Sequence, residues 1–417
     1  MTSVFKTAKT AEIDRAKLVE YSVPVLLTVY IFAQPFHYLT AVEEVGIYLA
    51  FFVSVYLILT KKVEFTFDTP LSLPFALFAL WALIGIAFAI NKPNSIHDFY
   101  AHLLKYYVLF FLVFNFFRTR DKFLALALII TVSFTVFSLW GMVCVYGVEG
   151  KKLFADRFTN PAFLPYRTYI HVFGAITAIS FFCSETAISR KSFFALCIFV
   201  DVLAIFLSQT RSAIIALTAA LYLLLIVKRK YKQIVLITVL LLAVVYFSPV
   251  KARFLDERAY TVRIANYYLY SAIIRDYPIK GIGFGMQTYQ DPGLNIDSYN
   301  KYVPEKIRVS PPILSPHNTF LDIAARLGLI GLGLYVLIIF MSLKMLFVVI
   351  RNRADPFLRE WGFCLCANFL AFFIQAMFTE TSFGVQALTQ YLLFAMIAIL
   401  WKIGKDGRED MMSKGEK

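Results

Sequence analysis

KSFFALCIFVDVLAIFLSQTRSAIIALTAALYLLLIVKRK, residues 191–230, contains two apolar runs, 191–208 and 211–227, joined by a short polar turn. Lys191 opens the first run, and Lys228, Arg229 and Lys230 close the second. As a helix, each run is about 25 Å long, close to the ~30 Å hydrocarbon depth of a bilayer. The pattern predicts two antiparallel membrane helices with both basic ends on one side and the Arg211 turn on the other.

The same pattern repeats along the 417 residues. Apolar runs stand near 21–41, 44–60, 70–90, 101–117, 122–146, 167–185, 191–208, 211–227, 232–249, 328–350, 358–378 and 383–402. They predict an all-α integral membrane protein with about 12 transmembrane helices; the runs at 44–60 and 211–227 are short for a span. Composition agrees. The chain is 59% hydrophobic and only 16% charged, with a mean hydropathy of +0.69, whereas soluble domains carry about 25% charged residues. Ordinary soluble, disordered, collagen-like and disulfide-rich classes are excluded. The five cysteines, Cys144, Cys183, Cys197, Cys364 and Cys366, lie inside apolar runs without CxxC spacing and read as packing residues.

The net charge of +14 is explained by its distribution. With the N-terminus placed in the cytoplasm, 23 of the 41 basic residues fall on cytoplasmic segments, among them Lys61, Lys62, Arg118, Arg120, Lys228, Arg229 and Lys230. The short outer loops hold only Lys92, Lys151, Lys152, Arg157, Arg167 and Arg211. This is the positive-inside asymmetry, so no nucleic-acid partner is needed. An even number of spans then puts both termini in the cytoplasm. The first residues lack a small-residue cleavage site, so the first span is expected to stay as an anchor.

One connection differs from the rest. Residues 250–327 are polar, rich in Tyr, Pro and Gly, and long enough for a structured extracytoplasmic loop. The chain thus divides into spans one to nine (1–249), the loop (250–327), spans ten to twelve (328–402) and a cytoplasmic tail (403–417). Within the loop, Tyr260, Tyr267, Tyr270, Ile273 and Ile274 recur at helical spacing over 258–276, until Pro278 and the GIGFG stretch stop the helix. A second short helix is expected from His317 to Leu327, ending at Gly328, where the next span begins.

The residues able to carry chemistry lie in or beside this loop. Arg211, in SQTRSA, sits at or just within the outer membrane face, where a cation must meet a cavity, an anion or lipid phosphates. Arg263 stands among Arg253, Arg258, Arg275 and Lys280 without a matching acidic run. Guanidinium groups bind phosphate oxygens as a fork, so an arginine pair suits a pyrophosphate; the alternatives are a solvated basic face or lipid headgroups. His317, in SPHNTFLDIAARLGLIG, reads as a general base or as an interfacial helix-capping histidine. The other histidines, His37, His97, His102 and His171, lie near span ends without a spaced partner and receive no role. Gly281, Gly283 and Gly285 read as a turn allowing close backbone approach rather than as a phosphate cradle. Glu43 and Glu44 read as a solvated pair, and Lys105 and Asp201, at membrane depth, as partners inside the bundle. No Walker loop, HExxH or GxSxG is present.

These residues carry a resemblance. His317-Asn318, nine residues, then Gly328-x-x-Gly331 resembles the signature of the O-antigen ligase family, a branch of the O-antigen ligase and polymerase superfamily. The SQTRSA segment around Arg211 is similar to the family's Ser/Thr-x-x-Arg, and Arg263 followed by DYPIKGIGFG to its second arginine and Pro, Gly-x-Gly stretch. The resemblance covers about 211–331. It implies a GT-C-type glycosyltransferase of the bacterial inner membrane with a large periplasmic loop, working without cofactor, ATP or metal. It also implies that glycan passes from undecaprenyl pyrophosphate to a lipid A-core sugar hydroxyl, with inversion at the anomeric carbon. By motif, Arg211 and Arg263 would hold the donor pyrophosphate, His317 would deprotonate the acceptor and Asn318 would orient the imidazole or a hydroxyl. Arg258, Arg275, Lys280 and Gly283 would support them. The rival readings are a polymerase of the same superfamily, a protein-directed O-oligosaccharyltransferase, a lipid-linked sugar transporter and a non-catalytic assembly component. The short tail speaks against the second, and the absence of visible repeat halves against the transporter.

Overall fold

The computed structural model describes residues 15–159, 168–247, 251, 256–352, 354–379 and 384–415, and within them it is all helix and loop, with no strand. The helices are α1 (Arg15–Ala33), α2 (Thr40–Leu59), α3 (Ser72–Phe88), α4 (Lys92–Asp98), α5 (Lys105–Phe116), α6 (Arg120–Met142), α7 (Thr168–Ser184), α8 (Ile188–Leu207), α9 (Arg211–Val227), α10 (Tyr231–Phe247), α11 (Glu257–Asp276), α12 (Thr319–Arg351), α13 (Pro356–Ala376) and α14 (Gly384–Gly415). Among the described residues, each apolar run of the sequence overlaps one of them. Among the described residues, six helices are long and apolar enough to cross a membrane, and shorter apolar helices stand at 21–33, 72–88, 168–184, 211–227 and 231–243. The chain is thus a multi-pass membrane protein; a backbone in hydrocarbon must satisfy its own hydrogen bonds, which a helix does within one segment.

Because lipid tails are as apolar as leucine, helix association inside the bilayer relies on close packing rather than on the expulsion of water. Phe75 of α3 shows how this is met. Its ring lies 4.6 Å from Tyr107 and 4.9 Å from Phe110 on α5, and 5.8 Å from Tyr391 on α14, and the side chain is almost fully buried. Phe75→Ala should cost about 3–5 kcal/mol. A fall of several degrees in the thermal midpoint of the detergent-solubilised protein would show it, and an unchanged midpoint would refute it.

Polar pairing in the bundle departs from the expectation. Lys105 does not meet Asp201; it binds Glu44 at 2.5 Å, because α5 packs on α2. Glu44 is therefore not one of a solvated pair. Asp201 accepts from Thr135 (2.9 Å) and Ser138 (2.5 Å) on α6, and the Ser138 hydroxyl also meets His171 Nδ1 at 2.6 Å. His171 is thus buried in the bundle and has a partner that no sequence spacing marked. His97 and His102 have a shared neighbour too, since both stand near Asp98. The five cysteines are free, and Cys183 is exposed.

The long connection has a core of its own. Leu269, Tyr270 and Ile273 of α11 pack with Ile282, Tyr289, Leu294, Ile296, Tyr299 and Val303, and the cluster reaches Ala325 on α12. This small core explains why a polar, aromatic-rich loop takes one structure. It is seated on the bundle by backbone bonds. Helix α12 is broken at Gly328, whose φ is 69°, so the carbonyls just before the break have no partner inside the helix. Ile282 N–H donates to Ala325 O (3.1 Å), Gly283 N–H to Arg326 O (3.0 Å), and Trp81 Nε1 of α3 to Leu327 O (2.8 Å). A Cβ on Gly281 would lie 2.2 Å from Arg326 O, and one on Gly328 2.0 Å from Ile279 O. The glycines therefore let the loop and the break dock backbone to backbone.

Helix α4 holds the other edge of that loop. Ser95 Oγ accepts from Gly285 N–H (3.1 Å), Asp98 Oδ2 from Met286 N–H (2.6 Å) and Asn94 Oδ1 from Gln287 N–H (2.8 Å). Gly283 belongs to this contact, since a Cβ there would lie 2.6 Å from the Ala89 Cβ.

Candidate functional site

One face of α11 gathers residues that are far apart in sequence. Tyr260, Arg263 and Tyr267 are spaced three and four apart, so they lie along one side of the helix. Arg211, the first residue of α9, places its guanidinium 4.9 Å from the centre of the Tyr260 ring. Arg263 lies over Phe378, just past the end of α13, at 4.7 Å. Tyr267 receives a hydrogen bond from Asn318 Nδ2 (2.9 Å), the residue that follows His317. Thus α11 brings together the two arginines and the histidine segment.

The electrostatics of the arginine pair are unusual. Burial, together with the neighbouring charge of Arg211, pushes the Arg263 guanidinium below its ordinary pKa. Among the described residues neither cation has a carboxylate within salt-bridge distance, and Arg211 Nη1 is buried without a hydrogen-bond partner. Buried donors are nearly always satisfied in folded proteins. Two adjacent cations with an unmet donor are relieved by an anion bearing several oxygens.

Arg157, expected from the sequence only as an outer-loop cation, supports this corner. Its Nε donates to Ser208 O (2.6 Å) and its Nη2 to Thr210 Oγ1 (3.0 Å). These bonds span the turn before Arg211, in which Gln209 holds φ at 51°. The next residue, Phe158, donates its N–H to Leu207 O at the end of α8 (2.8 Å). No motif marks Arg157; only the fold brings it to the turn.

His317 is also held in a left-handed conformation, with φ at 51°, which is uncommon for a residue with a side chain. Its surroundings enforce it. Tyr270 OH donates to Ile313 O (2.9 Å), Asn266 Nδ2 donates to Ser315 O (2.9 Å), and His317 Nδ1 lies 3.3 Å from Ser315 Oγ. On the other side, Asn318 Oδ1 accepts from Phe320 and Leu321 N–H (2.9 and 3.0 Å), capping α12. Its Nδ2 also approaches Met377 O (3.4 Å), and Thr319 Oγ1 donates to Thr379 O (2.9 Å). Asn318 is thereby engaged as a clamp between α11, α12 and the end of α13, which positions His317 through the backbone.

The remaining expected residues do not join the arginine pair. Arg275 is more than three turns from Arg263, roughly 18 Å along the helix at 1.5 Å per residue, and lies over Tyr302. Lys280 lies over Phe88 at 4.7 Å. Arg253 and the side chain of Arg258 lie outside the described residues. Among those described, no group of three or more His, Cys, Asp or Glu is arranged to hold a metal ion.

Residues 194–336 match the model of a family described as O-antigen ligase. The matched stretch runs from α8 into α12 and contains Arg211, Arg263, His317 and the Gly328 break. It supports the superfamily of O-antigen ligases and polymerases for this chain. No curated protein matches the chain.

Proposed function

We propose that this protein is a glycosyltransferase of the O-antigen ligase type. It would move glycan from undecaprenyl pyrophosphate to a lipid A-core sugar hydroxyl at the periplasmic face of the inner membrane, with both termini in the cytoplasm. The observation that carries the reading is the pair of guanidinium groups, Arg211 and Arg263, which have no carboxylate partner among the described residues and meet at the face of α11 that also holds the His317 segment. The twelve-span arrangement of a GT-C-type enzyme belongs to the same proposal. It is supported by the match of every apolar run to a helix and by the basic clusters at the other end of α9.

In the proposed reaction the bond between the anomeric carbon and the pyrophosphate oxygen breaks, and its electron pair leaves with the pyrophosphate. The acceptor oxygen attacks from the opposite side, forming the new glycosidic bond with inversion, and its proton passes to His317. Charge grows on the leaving pyrophosphate, where the fixed cations of Arg211 and Arg263 stabilise it most strongly. That is the role a divalent cation plays in other glycosyl transfers, so the reaction is expected to proceed with chelator present.

The test is transfer by the purified protein from a synthetic undecaprenyl-pyrophosphate glycan in the presence of chelator. Glycan on lipid A-core supports a ligase. Products lengthened on the polyprenyl carrier would make it a polymerase of the same superfamily, and intact donor with both acceptors would overturn the transferase reading. Within that assay, Arg157→Lys keeps the charge but not the fork that spans Ser208 and Thr210. It should slow transfer about tenfold or more by loosening Arg211, since small misplacements of a catalytic group can cost up to 10²-fold. Wild-type kinetics in this variant would show that Arg157 does not set the turn.

A further inference from the structure

At the end of the bundle opposite Arg211, α7, α8, α9, α10 and α13 enclose a cleft of about 680 Å³, a volume within the ~300–1,000 Å³ usual for small-molecule sites. Its walls are apolar, formed among others by Ile198, Leu221, Leu225, Ile237 and Phe363. Its mouth is cationic. Lys228, Lys230 and Arg359 line it with one acid, Glu360, which pairs with Lys228 at 3.3 Å. Lys230 and Arg359 are exposed and have no carboxylate partner among the described residues. Helix α10, which forms one side, turns Val235, Leu236, Val239 and Leu240 outward and exposed, as a lipid-facing helix does.

We propose that this cleft binds one anionic phospholipid, with an acyl chain between the apolar walls and the phosphate at Lys228, Lys230 and Arg359. Charge complementarity selects the occupant. A neutral groove facing the bilayer would take any acyl chain, whereas two unneutralised cations at headgroup height favour a lipid with net negative charge. Helix α9 separates this mouth from Arg211 by about 26 Å at 1.5 Å per residue, nearly the ~30 Å hydrocarbon depth. The two cationic ends therefore stand in opposite headgroup layers, and the lipid site does not rest on the transferase reading.

The test is native mass spectrometry of the full chain in neutral detergent, titrated with phosphatidylglycerol or with phosphatidylcholine of the same acyl chains. Phosphatidylglycerol is expected to be retained at least about tenfold more tightly. The Lys230→Gln/Arg359→Gln variant should bring the two lipids near equality, while Ile237→Trp, which fills the wall, should weaken both. Both cations are exposed, so the double variant should keep the wild-type thermal midpoint. If it does not fold, the wild-type preference between the two lipids decides alone. Equal retention by the wild type overturns the proposal, as does a preference that survives the double variant or binding untouched by Ile237→Trp. Competition by glycerol phosphate as strong as that by phosphatidylglycerol would also overturn it, by marking a site for free phosphate.

Discussion

Arg211→Ala and Arg263→Ala are each expected to slow glycan transfer by about 10²- to 10³-fold, the usual cost of removing one preorganised donor from developing charge. The fall should lie mainly in kcat, because the pyrophosphate is more negative when leaving than when bound as an ester. Lysine in either place keeps the charge without the fork and should restore activity only in part. Stability separates this role from a structural one. Neither arginine has a carboxylate partner among the described residues, and each raises the local potential felt by the other. Losing one cation should therefore leave the thermal midpoint unchanged or slightly raised. A variant with full activity and a lowered midpoint would show that the pair serves the fold.

His317→Ala is expected to slow transfer by about 10²- to 10⁴-fold, the range for loss of a general base. Alanine alone does not distinguish a base from a residue that orders the loop, so His317→Asn is the sharper variant. Asparagine tolerates the left-handed backbone that His317 adopts, yet it cannot take up a proton at neutral pH. If the imidazole is the base, Asn should be as inactive as Ala, and the residual rate should lose the acidic limb of the pH profile. Recovery of most activity in the Asn variant would reduce His317 to a positioning residue. Asn318→Ala should lower stability as well as rate, by about 0.5–2 kcal/mol for the lost cap, because its side chain joins α11, α12 and the end of α13.

Much of this site could be read from the chain. Arg211 stood out because a cation beside a span has few places to go, and His317 because it opens a helix after a proline-rich stretch. Other residues had no local signal. The sequence groups Arg275 and Lys280 with Arg263 by proximity along the chain, yet the helix carries Arg275 well away, and Lys280 follows the turn onto Phe88. Arg157 and Phe378 flank the arginines through connections far from α11, so no spacing rule could find them. The glycines of GIGFG were legible as a close approach, but the partner, the broken end of α12, was not.

By itself the sequence determined that this is a helical membrane protein and where its helices lie. In hydrocarbon the backbone must close its own hydrogen bonds, so a long apolar run has one solution whatever surrounds it. It also singled out the loop that is the candidate for chemistry, since polar residues are costly within a span. Only the tertiary structure decided which side chains meet. Lys105 chose Glu44 over Asp201, Asn318 became a clamp between helices, and Arg211 came to Arg263 across the Tyr260 face of α11. Those choices depend on how each helix is turned about its axis and on its packed neighbours, and hydropathy along a chain fixes depth in the membrane but not that rotation.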